Sequence, residues 1–212
     1  MSILRPALVL LLVFLLIGFA AIGFRAVRTV QTLTAVEAER DQWQRPADVI
    51  RALEIQDGST VVDFGSGAGY FALKLSDLAG AKGKVIAVDL RRFSLLFLQL
   101  RAFLQGKHNI QLVVGDPDDP HLPEGQVNSV LIANTYHELA APKSILRHLS
   151  QALRHGGLLV IVDRLEGGEH YRASPENAEM DLKSEKFEIK TRVDDFIKIR
   201  QNSWWLIVAA KP

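Results

Sequence analysis

The sequence predicts an α/β protein: a doubly wound, mainly parallel seven-stranded sheet with a C-terminal antiparallel hairpin, preceded by one transmembrane helix. Three observations predict it. From Pro46 onward, short β-branched runs alternate with helix-period segments, the pattern of parallel strands joined through helices. The last two apolar runs leave no room for a full helix between them, so they pair antiparallel. An unbroken apolar stretch opens the chain.

That stretch, 6–24, holds 19 uncharged residues between Arg5 and the pair Arg25 and Arg28. A helix rising about 1.5 Å per residue needs close to this length to cross the roughly 30 Å hydrocarbon core. Residues 1–25 are therefore read as a membrane anchor, 26–44 as a helical connector, and 45–212 as the folded domain. The arginine bias favours a cytoplasmic domain. The competing reading is a cleaved signal peptide and export, with Gly18-Phe19-Ala20 as the small-x-small site.

Within the domain, Asp48 opens a short helix and Asp57-Gly58 makes a turn. Strands are expected at 60–64, 84–88, 110–114, 127–133 and 158–162, with the hairpin at 187–193 and 204–209. Phe71, Leu75 and Leu78 fall on one face of the helix after the first strand. Phe93, Leu96, Phe97, Leu100 and Phe103 share a face of the next helix, which leaves Leu95 and Leu98 over on the outside. Residues 142–154 form a further helix, closed by Gly156-Gly157.

Composition narrows the function classes. Outside the first 44 residues the chain keeps 21 of its 25 basic and 21 of its 24 acidic residues. A nucleic-acid partner, which calls for a basic excess, is not expected. No cysteine is present, so disulfides, thiolate metal sites and cysteine nucleophiles are excluded.

Between the first strand and its helix lies Asp63-Phe64-Gly65-Ser66-Gly67-Ala68-Gly69-Tyr70. Glycines there allow a sharp turn and let a ligand approach the main chain. The spacing is Asp-x-Gly-x-Gly-x-Gly. Tyr70 stands where a dinucleotide fingerprint needs its third glycine, and no Gly-Lys-Ser/Thr follows, which excludes a phosphate-binding P-loop. Asp89 ends the second strand, Asp116 follows the third, and Asn134-Thr135-Tyr136-His137-Glu138-Leu139 follows the fourth. Each acid alone reads equally well as a cap or turn residue. Together they occupy the strand ends where open α/β sheets bind ligands.

On these motifs, over residues 46–210, the chain resembles the class I S-adenosylmethionine-dependent methyltransferases. The Trp43–Pro46 stretch with Asn134 to Glu138 also resembles a membrane-anchored bacterial group within them. The resemblance implies a Rossmann-like fold and S-adenosylmethionine as methyl donor, with S-adenosylhomocysteine as product and no metal. It implies that Asp63, Gly65, Ser66, Gly67, Gly69 and Tyr70 form the cofactor loop. Asp89 would take the ribose hydroxyls, with Leu90 beside the adenine. Asp116 would meet the adenine amino group, although Pro117 withholds a backbone N–H and Asp118 could take that contact instead.

Asn134 and Tyr136 are expected to shape the cofactor and acceptor pocket. Transfer to a proton-bearing acceptor calls for a base, and His137 is the candidate; the plainer reading is that it packs near the helix start at Pro142. Arg164, Glu166, His170 and Tyr171 are candidate acceptor contacts. The surplus apolar residues of the 93–103 helix fit a bilayer, and hence a small lipophilic acceptor, or a covering helix or subunit. Two other readings stand beside methyl transfer: a non-catalytic cofactor-binding module, and a nicotinamide-dependent oxidoreductase, which Tyr70 disfavours.

Overall fold

The computed structural model describes residues 4–165 and 174–212. In chain order the elements are α1 (Leu4–Trp43), α2 (Pro46–Arg51), β1 (Thr60–Phe64), α3 (Tyr70–Ala79), β2 (Lys84–Asp89) and α4 (Arg92–Leu104). Then come β3 (Ile110–Val114), β4 (Val127–Ala133), α5 (Pro142–Ala152), β5 (Leu153–Leu165), α6 (Pro175–Ser184), β6 (Glu188–Ile199) and β7 (Asn202–Ala210). Two compact units result, residues 1–43 and 44–212.

The first unit is one continuous helix. It is long and apolar enough to cross a membrane, and its aliphatic side chains from Leu8 to Phe24 lie exposed.

In the second unit the strands run β3-β2-β1-β4-β5-β7-β6. The first five pair in parallel, and β7 pairs antiparallel with both β5 and β6. This is the Rossmann-like mixed sheet with a terminal hairpin that the alternation predicts. Central strands are buried on both faces, which suits their β-branched composition: Val61 and Val62, Val130 to Ile132, and Leu159 to Val162 are all inaccessible. Helix α5 buries Ile145, Leu146, Leu149 and Ala152, an i, i+1, i+4, i+7 stripe that fits a helix laid on a sheet.

Register positions the site. Phe64 pairs with Val88 and with Ile132, and Ile132 pairs with Ile161. The carboxyl ends of β1, β2 and β4 therefore finish within about a residue of one another, while β5 runs on to Leu165. Successive strands leave β1 in opposite directions, making a switch point between β1 and β4, where such sheets take ligands.

Several expectations need correction. Helix α4 is turned the other way: Leu98 is 0% exposed and Leu95 is also buried, whereas Phe93 is 88% and Phe103 72% exposed. The cause is Arg101. It lies on the buried stripe with Leu95, Leu98 and Ala102 and makes that side read as polar. Its Nη1 donates to the Ala68 carbonyl at 2.5 Å, so a buried arginine ties α4 to the glycine loop. The outer stripe of Phe93, Leu96, Leu100, Phe103 and Leu104 is exposed.

Leu78 of α3 is also exposed. Strands β5, β6 and β7 run longer than expected. Helix α6 was not anticipated, although Ser174 caps it by accepting the Asn177 N–H at 3.2 Å, with Pro175 in the first turn.

Candidate functional site

After β1 the chain turns around the end of β2. The N–H groups of Gly65 and Ser66 donate to the Val88 carbonyl at 2.8 and 3.0 Å. Gly67 N–H donates to Asp89 Oδ2 at 2.8 Å, and Gly69 N–H donates to the Ser66 carbonyl at 2.9 Å.

The three glycines serve different ends. A Cβ on Gly65 would overlap the Thr135 side chain, and one on Gly69 would overlap Leu98. A Cβ on Gly67 would meet no protein atom. Two glycines therefore permit close packing within the domain, and the third keeps main chain bare toward open space.

Asp89 is only 5% exposed. Besides Gly67 N–H it accepts Arg91 N–H at 2.8 Å on Oδ1, and Arg91 Nε approaches the same oxygen at 3.2 Å. Asp63 is buried at the end of β1. Ser66 is buried with its hydroxyl lacking a hydrogen-bond partner among the described residues. A buried unsatisfied hydroxyl in a binding loop is what a polar ligand would complete. Leu90 is exposed on the rim beside Asp89. Tyr70 starts α3 buried, edge-on to Phe71 at 4.8 Å and with Lys74 Nζ 4.9 Å from its ring centre.

Asp116 is exposed in a turn after β3, its Oδ2 2.9 Å from His121 Nε2, and Asp118 is exposed in the same turn. Both stand apart from the loop's hydrogen bonds.

Beyond β4 the backbone bends at Asn134, which has a positive φ of 51°. Asn134 N–H donates to the Val162 carbonyl at 2.8 Å, and its side-chain oxygen accepts the Trp204 Nε1–H at 2.9 Å. Its side chain thus fastens β4 to β7. Tyr136 is buried in the core, contrary to the expected pocket role. Its hydroxyl bonds Asp181 at 2.9 Å and its ring packs edge-on to Trp205. Burial, reinforced by the negative Asp181, raises its pKa well above the ordinary phenol value.

His137 lies on the other side of the 3₁₀ turn Tyr136–Glu138, 23% exposed at its side chain, with Nδ1 2.8 Å from Oδ1 of Asp163. Asp163 has 0% exposure and also accepts the His137 main-chain N–H at 3.0 Å and Arg164 N–H at 2.7 Å. The sequence reading missed Asp163, which lies 26 residues from His137; an acid one position beyond the β-branched run of β5 is the only available signal. Arg164 is exposed. Glu166, His170 and Tyr171 lie outside the described residues.

A glycine turn at the switch point, a buried carboxylate on the neighbouring strand end and an unsatisfied hydroxyl between them are features that a nucleoside-cofactor site on a Rossmann-like sheet calls for. Residues 55–202 match the family model described as methyltransferase domain, and the chain belongs to this family of S-adenosylmethionine-dependent enzymes.

Among its relatives is protein-L-isoaspartate O-methyltransferase of Ignicoccus hospitalis, 28% identical over 58% of this chain and 55% of its own length. Demethylmenaquinone methyltransferase of Geobacillus stearothermophilus is 22% identical over 58% of this chain and 51% of its own length. The chain thus spans about half the length of these curated relatives. A SAM-dependent methyltransferase from Aquifex aeolicus has the same fold, with a TM-score of 0.69 at 23% identity over 79% of this chain and 89% of its own.

Proposed function

We propose that this protein transfers a methyl group from S-adenosylmethionine to a small lipophilic acceptor at the face of a membrane. The observation that carries this reading is a shared wall. Gly65 of the cofactor loop packs against Thr135, two residues before His137, so donor cradle and candidate base share the carboxyl end of the central strands. Asp89, Gly67 and Ser66 would hold the nucleoside. When bound, the donor supplies a methyl on a positively charged sulfur, and no metal is required of the protein.

The chain's own work is positioning. His137 would accept a proton from the acceptor, a contribution of about 10²–10⁴-fold.

Three observations support a lipophilic acceptor. Helix α1 has the length and composition of a span. A relative acts, by its name, on demethylmenaquinone. The exposed stripe of α4 follows the exposed pair Arg91 and Arg92 in a segment, 90–108, that contains no acid, a pairing that suits an anionic lipid surface. The domain faces the cytoplasm in this reading, where the donor is made. A reporter fused after Pro212 that works only outside the cytoplasm would contradict that orientation and favour export.

The activity is tested with the full chain in nanodiscs, methyl-labelled donor, and a panel of quinols, phenols and amines. Label in a lipophilic product supports the proposal. Transfer confined to water-soluble amines, or none to any acceptor, would sink it.

A further inference from the structure

We propose that α4 is a second membrane contact: an interfacial helix that lies along an anionic phospholipid surface and holds the rim of the cofactor cradle there. This role rests on the membrane-face reading above and deepens it by naming the lipid class and the side chains that meet it. Helix α4 has 13 residues, roughly 20 Å at 1.5 Å each. That is too short to span a bilayer and long enough to lie in its headgroup layer. Its two sides face different surroundings. Leu95, Leu98, Arg101 and Ala102 are buried where the helix meets β2 and β3. Phe93, Leu96, Leu100, Phe103 and Leu104 are exposed and recur at i, i+3, i+7, i+10 and i+11, one narrow stripe on the opposite side.

A contiguous apolar stripe marks a contact surface, and the charge around it selects the occupant. Arg91 and Arg92 stand exposed at its start and His108 just past its end, with no acid between 90 and 108. Arg91 leans on Asp89 yet keeps 69% of its side chain exposed. Of the acids in the turn after β3, Asp116 and Asp119 already hold His121. An anionic headgroup layer answers both features. The phenyl and leucyl side chains enter the acyl boundary while the arginines stay at the phosphates.

A second copy of the chain fits less well. A stable protein interface takes about 800 Å² from each partner, some 20–30 residues, whereas the stripe offers five side chains. Pairing two copies through it would set Arg91 and Arg92 against themselves or, with the helices antiparallel, against Lys107 and His108. In either arrangement basic ends meet, and no acid of the segment stands opposite them.

Position ties this contact to the site. Helix α4 begins three residues after Asp89, and Leu90 on the cradle's rim is exposed just ahead of it. With α4 docked, that rim sits at the headgroup layer, and a lipophilic acceptor reaches the methyl donor without crossing open water.

The chain has no cysteine, so single-cysteine variants of the full chain can each carry one bimane in nanodiscs whose lipids bear nitroxide quenchers. Phe93→Cys and Phe103→Cys report the stripe against headgroup-level nitroxides. Glu188→Cys, exposed on β6 at the opposite edge of the sheet, is the comparison, and Val13→Cys reports α1 against nitroxides deep in the acyl chains. The two stripe labels are expected to lose most of their emission in phosphatidylglycerol-rich discs and to keep most of it in phosphatidylcholine discs. Glu188→Cys should keep its emission in both. Adding Arg92→Glu to Phe103→Cys should restore the lost emission. Stripe labels that stay bright in phosphatidylglycerol, or that are quenched equally in the two lipids, overturn the proposal. So does excimer emission from pyrene on Phe103→Cys that survives dilution into excess lipid, which assigns the stripe to a second copy. Val13→Cys separates the two failures. If it is quenched while the stripe stays bright, only the role of α4 falls; if it escapes the deep quencher, the membrane-face reading beneath it falls too.

Discussion

Alanine at Gly65, Gly67 and Gly69 should separate the loop's packing role from its ligand role. All three have positive φ, at 76°, 53° and 92°, so each alanine carries the left-handed cost of about 1–2 kcal/mol. At Gly65 and Gly69 the new methyl also overlaps Thr135 or Leu98. Overpacking adds about 1–3 kcal/mol, giving about 2–5 kcal/mol in total. For a domain of this size that corresponds to a melting-temperature drop of roughly 4–20 °C. At Gly67 the methyl meets no protein atom, so the loss stops at roughly 2–8 °C. That methyl would instead stand where the nucleoside lies, weakening S-adenosylhomocysteine binding about 5- to 150-fold through the same overpacking term. Thermal melts and titration calorimetry on the three variants check both halves. If Gly67→Ala binds like the wild type, or if Gly65→Ala and Gly69→Ala melt no lower than it does, the assignment of the three glycines is wrong.

Asp89→Asn keeps the shape but replaces one acceptor oxygen with a donor. It should weaken S-adenosylhomocysteine binding by about 1.5–3 kcal/mol, and unchanged affinity in calorimetry would remove Asp89 from the site. Leu98→Ala should cost about 2–5 kcal/mol and Leu100→Ala about 0.5 kcal/mol in denaturant unfolding; equal losses would mean α4 is wrongly oriented. The chain has no cysteine, so a spin label on Leu100→Cys reports one position. It should show greater access to dissolved oxygen in anionic nanodiscs than a label on Gln99→Cys, whereas dipolar coupling between labels would assign the stripe to a second copy. The raised Tyr136 pKa means the folded state keeps a proton that the unfolded chain releases above about pH 10. Its stabilising contribution is therefore present below that pH and lost as pH rises. Tyr136→Phe should flatten the alkaline decline in unfolding free energy.

Strands and glycine loop were legible in the sequence because both are local: a β-branched run and an Asp-x-Gly-x-Gly-x-Gly spacing need no distant partner. What escaped depends on contacts between distant segments. The burial of α4 turns on Arg101, whose guanidinium donates to the Ala68 carbonyl. The pairing of His137 with Asp163 exists because β4 and β5 run parallel in register, which sequence spacing cannot reveal. Tyr136 and His137 are neighbours, yet the tight turn sends one ring to Trp205 and the other to the rim. Asn134 was found by its motif, but its bond to Trp204 required the hairpin to fold back beside β5. Helix α6 carries a local signal, Ser174-Pro175 with Asn177.

Methyl transfer by this protein requires that the loop around Gly67 and Asp89 bind the methyl donor's nucleoside. Titration of S-adenosylhomocysteine into the purified full chain tests this most directly. A one-to-one isotherm in the micromolar range, roughly −8 kcal/mol, is the predicted result. No heat at millimolar ligand, with binding of a nicotinamide dinucleotide in its place, would contradict it.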